Sequence, residues 1–369
     1  MKITHVICTF PPYKGGMGNG TFEFCRELVL SGREITVLTP NYRNELEVEM
    51  VEGISVCRLF PWLKYGNAAF IPGLLRQLKN FDIVHLHYPF FGGTELVWLA
   101  KKILRMKFKL IIQYHMDVNL SSPWQKLLRL PDILTRRSLF RLANAVICSS
   151  LDYAQNSDLQ GVYPMKKIKE IPFGVDVERF QPATDKTNDE KINFLFVGGL
   201  DQAHYFKGVD VLLEAAALLK RKNWLLRIVG KGELKVRFEQ RARELGIEKQ
   251  VVFMDNVSYD DLPAVYRQSD IFVLPSINRN EAFGVVLLEA MASGLAVVAS
   301  NLPGVRSVFS DGVHGFLIAP KNVGDLRNKL NEFLLNKELA ARMGRQGRML
   351  VLEKYNWKEV SARLNQLYN

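Results

Sequence analysis

The sequence predicts an α/β protein built from two doubly wound domains, each a mostly parallel sheet with helices on both faces. Three observations carry that expectation. Short apolar runs alternate with segments of helical periodicity along both halves of the chain. The pattern restarts after Ile171–Asp176, which reads as a hinge. The length, 369 residues, exceeds what one core ordinarily fills.

The elements follow in order. Ile3–Cys8 reads as a buried strand and Pro11–Gly18 as a loop, after which Phe22, Phe24, Cys25, Leu28 and Val29 recur at helical spacing. Gly32 suits the C-terminal turn of that helix. Strands are expected at 35–38, 54–59, 83–87, 110–115 and 145–148, and helices at 94–104 and 124–142, with Pro131 breaking or offsetting the second. In the second half, Thr184–Lys191 is polar and loop-like. Strands are expected at 194–197, 225–229, 251–253, 271–274 and 296–299, with helices at 209–220, 262–268 and 283–293. The last stretch, Trp357 to Tyr368, is amphipathic and is expected to return to the first domain. The predicted division is 1–172 with 357–369, and 173–356.

Composition narrows the class. The apolar share is 48% and the charged share 24%, as in a globular chain. Cys8, Cys25, Cys57 and Cys148 are scattered and form no CxxC pair. A zinc cage or disulfide framework is not expected, and a reducing cytoplasm is the simpler home. Ile3–Phe10 is too short for a signal peptide, and no run approaches the ~20 apolar residues that span a bilayer.

The chemistry is expected in loops after strands, where doubly wound sheets bind ligands. Gly15, Gly16 and Gly18 lie between the first strand and the first helix. Such glycines let backbone N–H groups approach a phosphate or a sugar hydroxyl at a helix N-terminus; equally, they suit a tight turn. The run Asn280–Gly294 places Glu281 before a helix and Glu289 eight residues later, in an apolar setting. Carboxylates are costly there unless paired, and sugar or ribose hydroxyls are donors that would pair them. The plainer alternative is an amphipathic helix with one exposed Glu. No Asp-x-Asp motif occurs, so neither a metal nor another cofactor is expected.

These residues resemble glycosyltransferase family 4, a retaining family with the GT-B fold of two Rossmann-like domains facing across a cleft. Glu281 and Glu289 within AFGVVLLEAMASG look like its Glu-x7-Glu signature. The PPYKGGMG loop, FDIVHLH, IPFGVD, KGVDVLLEA, VGKGEL, VVFMDNV and YRQSDIFVLPS are similar to further blocks along essentially the whole chain. The resemblance implies a nucleotide-sugar donor in the second domain and a saccharide or lipid-linked acceptor in the first. Glu281 would contact the transferred sugar and Glu289 the ribose. Ala282, Phe283, Gly284 and Val285 would line the sugar and phosphates through backbone N–H groups. Lys207 would neutralise the diphosphate. Gly230, Asn256 and Val257 would lie near the nucleotide, Gly16 would approach the donor phosphate or the acceptor, and His115 would lie near the reacting sugar. Where the family usually carries a second phosphate-clamping cation, an arginine, this chain has Gly199, and His204 is the expected substitute.

Net charge is +11, with ten basic and two acidic residues between Lys101 and Arg141. Leucines at 127, 128, 130 and 134 interleave with Lys126, Arg129, Arg136 and Arg137. That mixture suits peripheral contact with an anionic membrane, at the inner face for a cytoplasmic protein, or an ordinary solvated helix face. A nucleic-acid-binding module would explain the charge but neither the glycine loops nor Glu281 and Glu289, and no nucleic-acid partner is expected. A sugar-phosphate or small-molecule glycoside synthase on the same fold is the alternative enzyme.

Overall fold

The computed structural model describes residues 1–12, 16–43, 45–118, 127–184 and 191–369. The chain divides into two units, Met1–Phe173 with Trp357–Asn369, and Gly174–Asn356.

The first unit holds β1 (Ile3–Val6), α1 (Gly16–Leu30), β2 (Ile35–Pro40), β3 (Val48–Val51), β4 (Ile54–Leu59), β5 (Leu63–Tyr65), β6 (Ala68–Phe70), α2 (Gly73–Leu78), β7 (Ile83–Tyr88), α3 (Gly93–Lys102), β8 (Lys109–Tyr114), α4 (Leu130–Leu142), β9 (Ala145–Cys148), α5 (Leu151–Gln155) and β10 (Ile168–Glu170). Eight strands form one sheet in the order β10-β9-β8-β7-β1-β2-β4-β3, parallel except for β3 against β4. β5 and β6 form a separate hairpin. Every residue of β1, β7 and β9 is buried, as a sheet covered on both faces requires. α1 ends with Gly32 at φ +84, Gly32 N donating to Val29 O and Arg33 N to Leu28 O, the double hydrogen bond of a left-handed helix stop. The C-terminal helix Trp357–Tyr368 lies against α1, Trp357 meeting Phe24 edge to face.

The second unit holds β11 (Ile192–Val197), α6 (Val209–Ala217), β12 (Trp224–Val229), α7 (Lys235–Glu244), β13 (Val251–Met254), α8 (Leu262–Arg267), β14 (Ile271–Leu274), α9 (Val285–Ala292), β15 (Ala296–Ser300), β16 (Gly315–Ile318), α10 (Val323–Leu335) and α11 (Lys337–Leu350). Its sheet runs β13-β12-β11-β14-β15-β16, all parallel. That order reverses between β11 and β14, so a crevice opens at their carboxyl ends. The core beneath is apolar, with Phe194, Phe196, Leu213, Ile228, Val273 and Phe333 among its members.

Three differences from the sequence reading have local causes. The helix expected from Phe283 starts at Val285, because Gly284 takes the left-handed conformation at φ +82 and only Val285 onward is helical. Of the helix expected over 124–142, positions 124–126 lie outside the described residues; Leu127 and Leu128 are helical, the helix is interrupted at Arg129 and resumes as α4 at Leu130, with Pro131 inside its first turn, where a missing N–H costs nothing. The elements not anticipated include edge strands and short pieces (β3, β5, β6, β10, β16), whose few residues carry no periodicity. No helix among the described residues is long and apolar enough to cross a membrane.

Candidate active site

In the second unit, the loops after β11 and β14 bring the expected residues together. Lys207 closes a short 3-10 turn after β11, and its Nζ donates to Glu281 Oε2 at 2.8 Å. The same oxygen accepts from Ser276 Oγ at 3.1 Å. The pair is largely enclosed, with side-chain exposures of 13% and 10%. Lys207 lies over Gly198, where a Cβ would come 2.6 Å from its Cδ. Gly208 then turns the chain at φ +74, with the Pro275 carbonyl 2.1 Å from where its Cβ would be. Glycine is therefore required at both ends of the lysine's path.

Glu289 sits in the second turn of α9, and Tyr266 on α8 donates its hydroxyl to Glu289 Oε2 at 2.7 Å. Packing around the carboxyl raises Glu289 to about 7, against the hydrogen bond from Tyr266 and the charges of Arg179 and Lys207. Ala282, Phe283, Gly284 and Val285 lead into α9. Phe283 is buried against Tyr355, and no side chain caps the helix. First-turn N–H groups have no acceptor within their helix, so this end offers donors and a partial positive charge to an anion.

The remaining predicted positions are more dispersed. Gly199 faces His204, whose Nδ1 is bonded to Asp201 at 2.8 and 2.9 Å. A Cβ on Gly199 would lie 2.5 Å from that nitrogen. An arginine at 199 therefore does not fit while His204 holds this place. Gly230 has a packing reason of its own, since a Cβ there would meet the Gly198 carbonyl oxygen at 1.9 Å. Asn256 is exposed and Val257 half-buried in the loop after β13, beside Asp255, which pairs with Lys235 at 2.9 Å.

In the first unit, the glycines of the first loop separate by cause. Gly15 lies outside the described residues. Gly18 is close-packed, with the Thr9 carbonyl oxygen 2.8 Å from a would-be Cβ. Gly16, at the start of α1, has nothing within 4 Å among the described residues. Neither packing nor a positive φ demands glycine at 16, which leaves space there for a ligand. His115 follows β8, is 5% exposed, and stacks on Phe173 with centroids 5.6 Å apart. Gly20 makes room for that phenyl ring, which stands 2.6 Å from its would-be Cβ. His85 and His87 are fully buried and hydrogen-bonded within the unit.

Two family descriptions match consecutive parts of the chain. Glycosyltransferase Family 4 covers residues 14–179, and Glycosyl transferases group 1 covers residues 177–350. The chain belongs to glycosyltransferase family 4. It is similar to the D-inositol 3-phosphate glycosyltransferase of Corynebacterium glutamicum, with 28% identity over 96% of this chain and 91% of that one. It is also similar to the GDP-mannose-dependent alpha-(1-6)-phosphatidylinositol monomannoside mannosyltransferase of Mycolicibacterium smegmatis, with 26% identity over 97% and 96%. Its fold is GT-B, shared with sucrose-phosphate synthase from Thermosynechococcus elongatus at a TM-score of 0.83, with 21% identity covering 100% of this chain and 98% of that one. The protein is thus a glycosyltransferase of the hexosyltransferase type.

Two site residues were missed in the sequence. Tyr266 and Ser276 both lie in YRQSDIFVLPS, a block that resembles the family but in which no periodicity marks those two positions. Their partners identify them only in three dimensions.

The Glu289 carboxyl gives a pH dependence. A ribose hydroxyl donates to the ionised carboxylate, while a carboxyl at about 7 is half neutral near neutrality. Nucleotide binding favours ionisation, releases protons below that value, and strengthens as pH rises from about 6 to about 8. Calorimetric titrations in two buffers of different ionisation heat check this. The reading fails if affinity is flat over that range or is greater in acid.

Proposed function

We propose that the chain transfers a hexosyl unit, with retention of anomeric configuration, from a nucleotide-sugar donor held in the second unit to a saccharide or lipid-linked acceptor bound by the first. The observation that carries this is the convergence of Lys207, Ser276 and Glu281 at the β11/β14 switch point, with Glu289, bonded to Tyr266, in the second turn of the helix that follows. A nucleoside diphosphate sugar needs a cation for its phosphates, acceptors for its sugar and ribose hydroxyls, and N–H donors at a helix start. All of these groups are present.

In the proposed mechanism, Lys207 and the N-terminus of α9 stabilise the charge that develops on the departing diphosphate, taking the role a metal has elsewhere. Glu281 accepts from the sugar, and Glu289 accepts from the ribose. The acceptor hydroxyl attacks from the leaving-group side, and a donor phosphate oxygen takes its proton, so no protein nucleophile is required. His204, held by Asp201, supplements Lys207 in place of an arginine at 199. The names of the two relatives point to phosphorylated or lipid-linked polyols as the acceptor class, and one of them to a GDP-sugar as donor. The base and sugar used by this chain follow from the test.

The basic stretch supports membrane contact, in a form altered by the structure. Several of its cations are engaged internally. Lys101 donates to the Phe108 carbonyl, Lys109 to the Leu367 carbonyl at 2.7 Å, and Arg129 to Asp158 at 3.0 Å. Exposed Lys102, Arg105 and Lys107 remain, beside exposed Ile103 and Leu104. α3 contacts both α4 and β6. Leu128, Leu130, Ile133 and Leu134 are exposed at α4, as are Phe60, Trp62 and Leu63 at the hairpin. The exposed apolar groups thus lie at α4 and at the hairpin beside the start of α3, and the exposed cations at and beyond the end of α3; apolar side chains together with cations on one unit suit shallow insertion into an anionic interface.

Two measurements test the proposal. A thermal-shift panel of UDP-, GDP- and ADP-sugars should show one donor class raising Tm by about 5–10 °C near a hundredfold excess over Kd. Lys207→Ala should abolish that shift and lower kcat by about a hundredfold; unchanged turnover would refute the clamp. In vesicle sedimentation, anionic vesicles should bind the protein about tenfold better than neutral ones, and Leu134→Asp should weaken that binding. Equal binding to both, or none, rejects membrane contact.

A further inference from the structure

Four of the six histidines lie together inside the first unit. His5 is on β1, His85 and His87 are on β7, and His115 follows β8. His5 and His85 are register partners, as are His87 and Gln113, so all of these side chains share the sheet face that α1 and the C-terminal helix cover. Their nitrogens form one connected path. Tyr368 Oη meets His5 Nε2 at 3.1 Å, His5 Nδ1 meets His87 Nε2 at 2.9 Å, and His87 Nδ1 meets His115 Nε2 at 2.8 Å. Branches run from Tyr368 Oη to His85 Nδ1 at 2.7 Å and from Thr21 Oγ1 to His87 Nδ1 at 3.2 Å.

The rings are joined edge to edge. Centroids lie 5.2 Å apart for His5 and His87 and 5.1 Å apart for His87 and His115, with interplanar angles of 29° and 19°. Subtracting the nitrogen–nitrogen contacts leaves only the two ring radii, which is the geometry of an in-plane N–H···N bond. Nitrogens of His5, His85 and His87 also lie within 4.8 Å of one another. Two of those rings already direct their lone pairs and protons at each other, which disfavours a common metal between the three.

Burial keeps these imidazoles neutral. His5 and His115 are lowered to about 3, and His85 and His87 fall well below the ordinary imidazole value. A neutral imidazole has one N–H and one lone pair. In a path of such rings, the direction of one hydrogen bond therefore fixes all the others.

We propose that Tyr368 is a positioning residue which, through His5 and His87, sets the tautomer of His115 so that its Nδ1 faces the ligand as a hydrogen-bond acceptor. The direction follows from the branch. Gln113 Oε1 and His85 Nε2 are both buried without a hydrogen bond of standard geometry, and Gln113 is the polar neighbour that favours a proton on His85. A proton on His85 Nε2 serves that amide oxygen and leaves Nδ1 to accept from the Tyr368 hydroxyl. The Tyr368 oxygen then accepts from His5 Nε2–H. His5 Nδ1 accepts from His87 Nε2–H, and the one lone pair of His87 Nδ1 accepts from His115 Nε2–H at 2.8 Å, which leaves the Thr21 hydroxyl, at 3.2 Å from the same nitrogen, the weaker contact. His115 Nδ1 ends the path as a bare lone pair, buried and without a partner among the described residues. A sugar hydroxyl is the donor chemistry it would take. That last step rests on the glycosyl-transfer reading; the tautomer assignment does not.

The test uses full-length protein with ring-15N histidine and long-range 1H–15N correlation spectra, recorded without substrate. The wild type should show His115 as the Nε2–H tautomer. Tyr368→Phe removes only the hydroxyl and should move His115 toward the Nδ1–H tautomer, with kcat/KM lower by about tenfold. Gln113→Leu removes the amide oxygen at the other end and should move it the same way, so it carries the test if the tyrosine variant does not fold. Thr21→Val should leave the tautomer unchanged. An unchanged His115 pattern in both variants overturns the relay, as does stoichiometric zinc binding lost on His85→Ala. A shifted tautomer with unchanged transfer upholds the relay and removes His115 from the reaction.

Discussion

The ion pair between Lys207 and Glu281 is the contact on which the rest of the donor site depends. Two opposite charges enclosed together lose much of their hydration, and their attraction repays this only with good geometry and further hydrogen bonds. Ser276 supplies one such bond. As a contribution to stability the arrangement is weak, and an apolar pair would serve as well. Its value lies in holding a cation and a carboxylate ready at the carboxyl ends of β11 and β14, where a ligand can separate them and take both as partners. Gly198 leaves room for the lysine's methylenes, and Gly208, at φ +74, lets the next turn of chain pass against the Pro275 carbonyl.

The first unit follows a different rule. Its central strands β1 and β7 are buried throughout, yet they carry three imidazoles, a fourth follows β8, and Thr4 and Gln113 are buried on β1 and β8. Each polar atom buried there must find a partner. The histidines meet that demand mostly from one another, with Tyr368 closing the network from the C-terminal helix. The same stack continues outward from His115 to Phe173 and to Gly20, whose missing side chain admits the ring. Phe173 thus fills a place on α1 that Gly20 leaves open.

Much of this was legible in the sequence. Short strands such as 83–87 and Ile271–Leu274, alternating with helical segments and punctuated by Gly32, announced two doubly wound sheets, whereas the left-handed turn at Gly284 was not legible. Glu281 and Glu289 stood out because carboxylates are out of place in an apolar run. What stayed hidden depends on long-range proximity. Tyr266 lies 23 positions from the Glu289 it bonds, and Tyr368 lies 363 positions from His5. Gly16 and Gly230 both read as ligand-binding glycines, but a Cβ would meet nothing among the described residues at the first and a carbonyl oxygen at the second. The +8 stretch read as uniformly basic, whereas Lys101, Lys109 and Arg129 spend their charge on neighbours.

The central claim is that Glu281 restrains Lys207 until the sugar of the donor takes over the carboxylate. It is tested most directly by comparing the Kd of the sugar-loaded nucleotide with that of the bare nucleoside diphosphate, in wild type and in Glu281→Gln. The account predicts that the variant binds the nucleotide sugar about tenfold more weakly, while its affinity for the bare diphosphate holds or improves because Lys207 is released to the phosphates. Equal losses for both ligands, or no change in either, would contradict it.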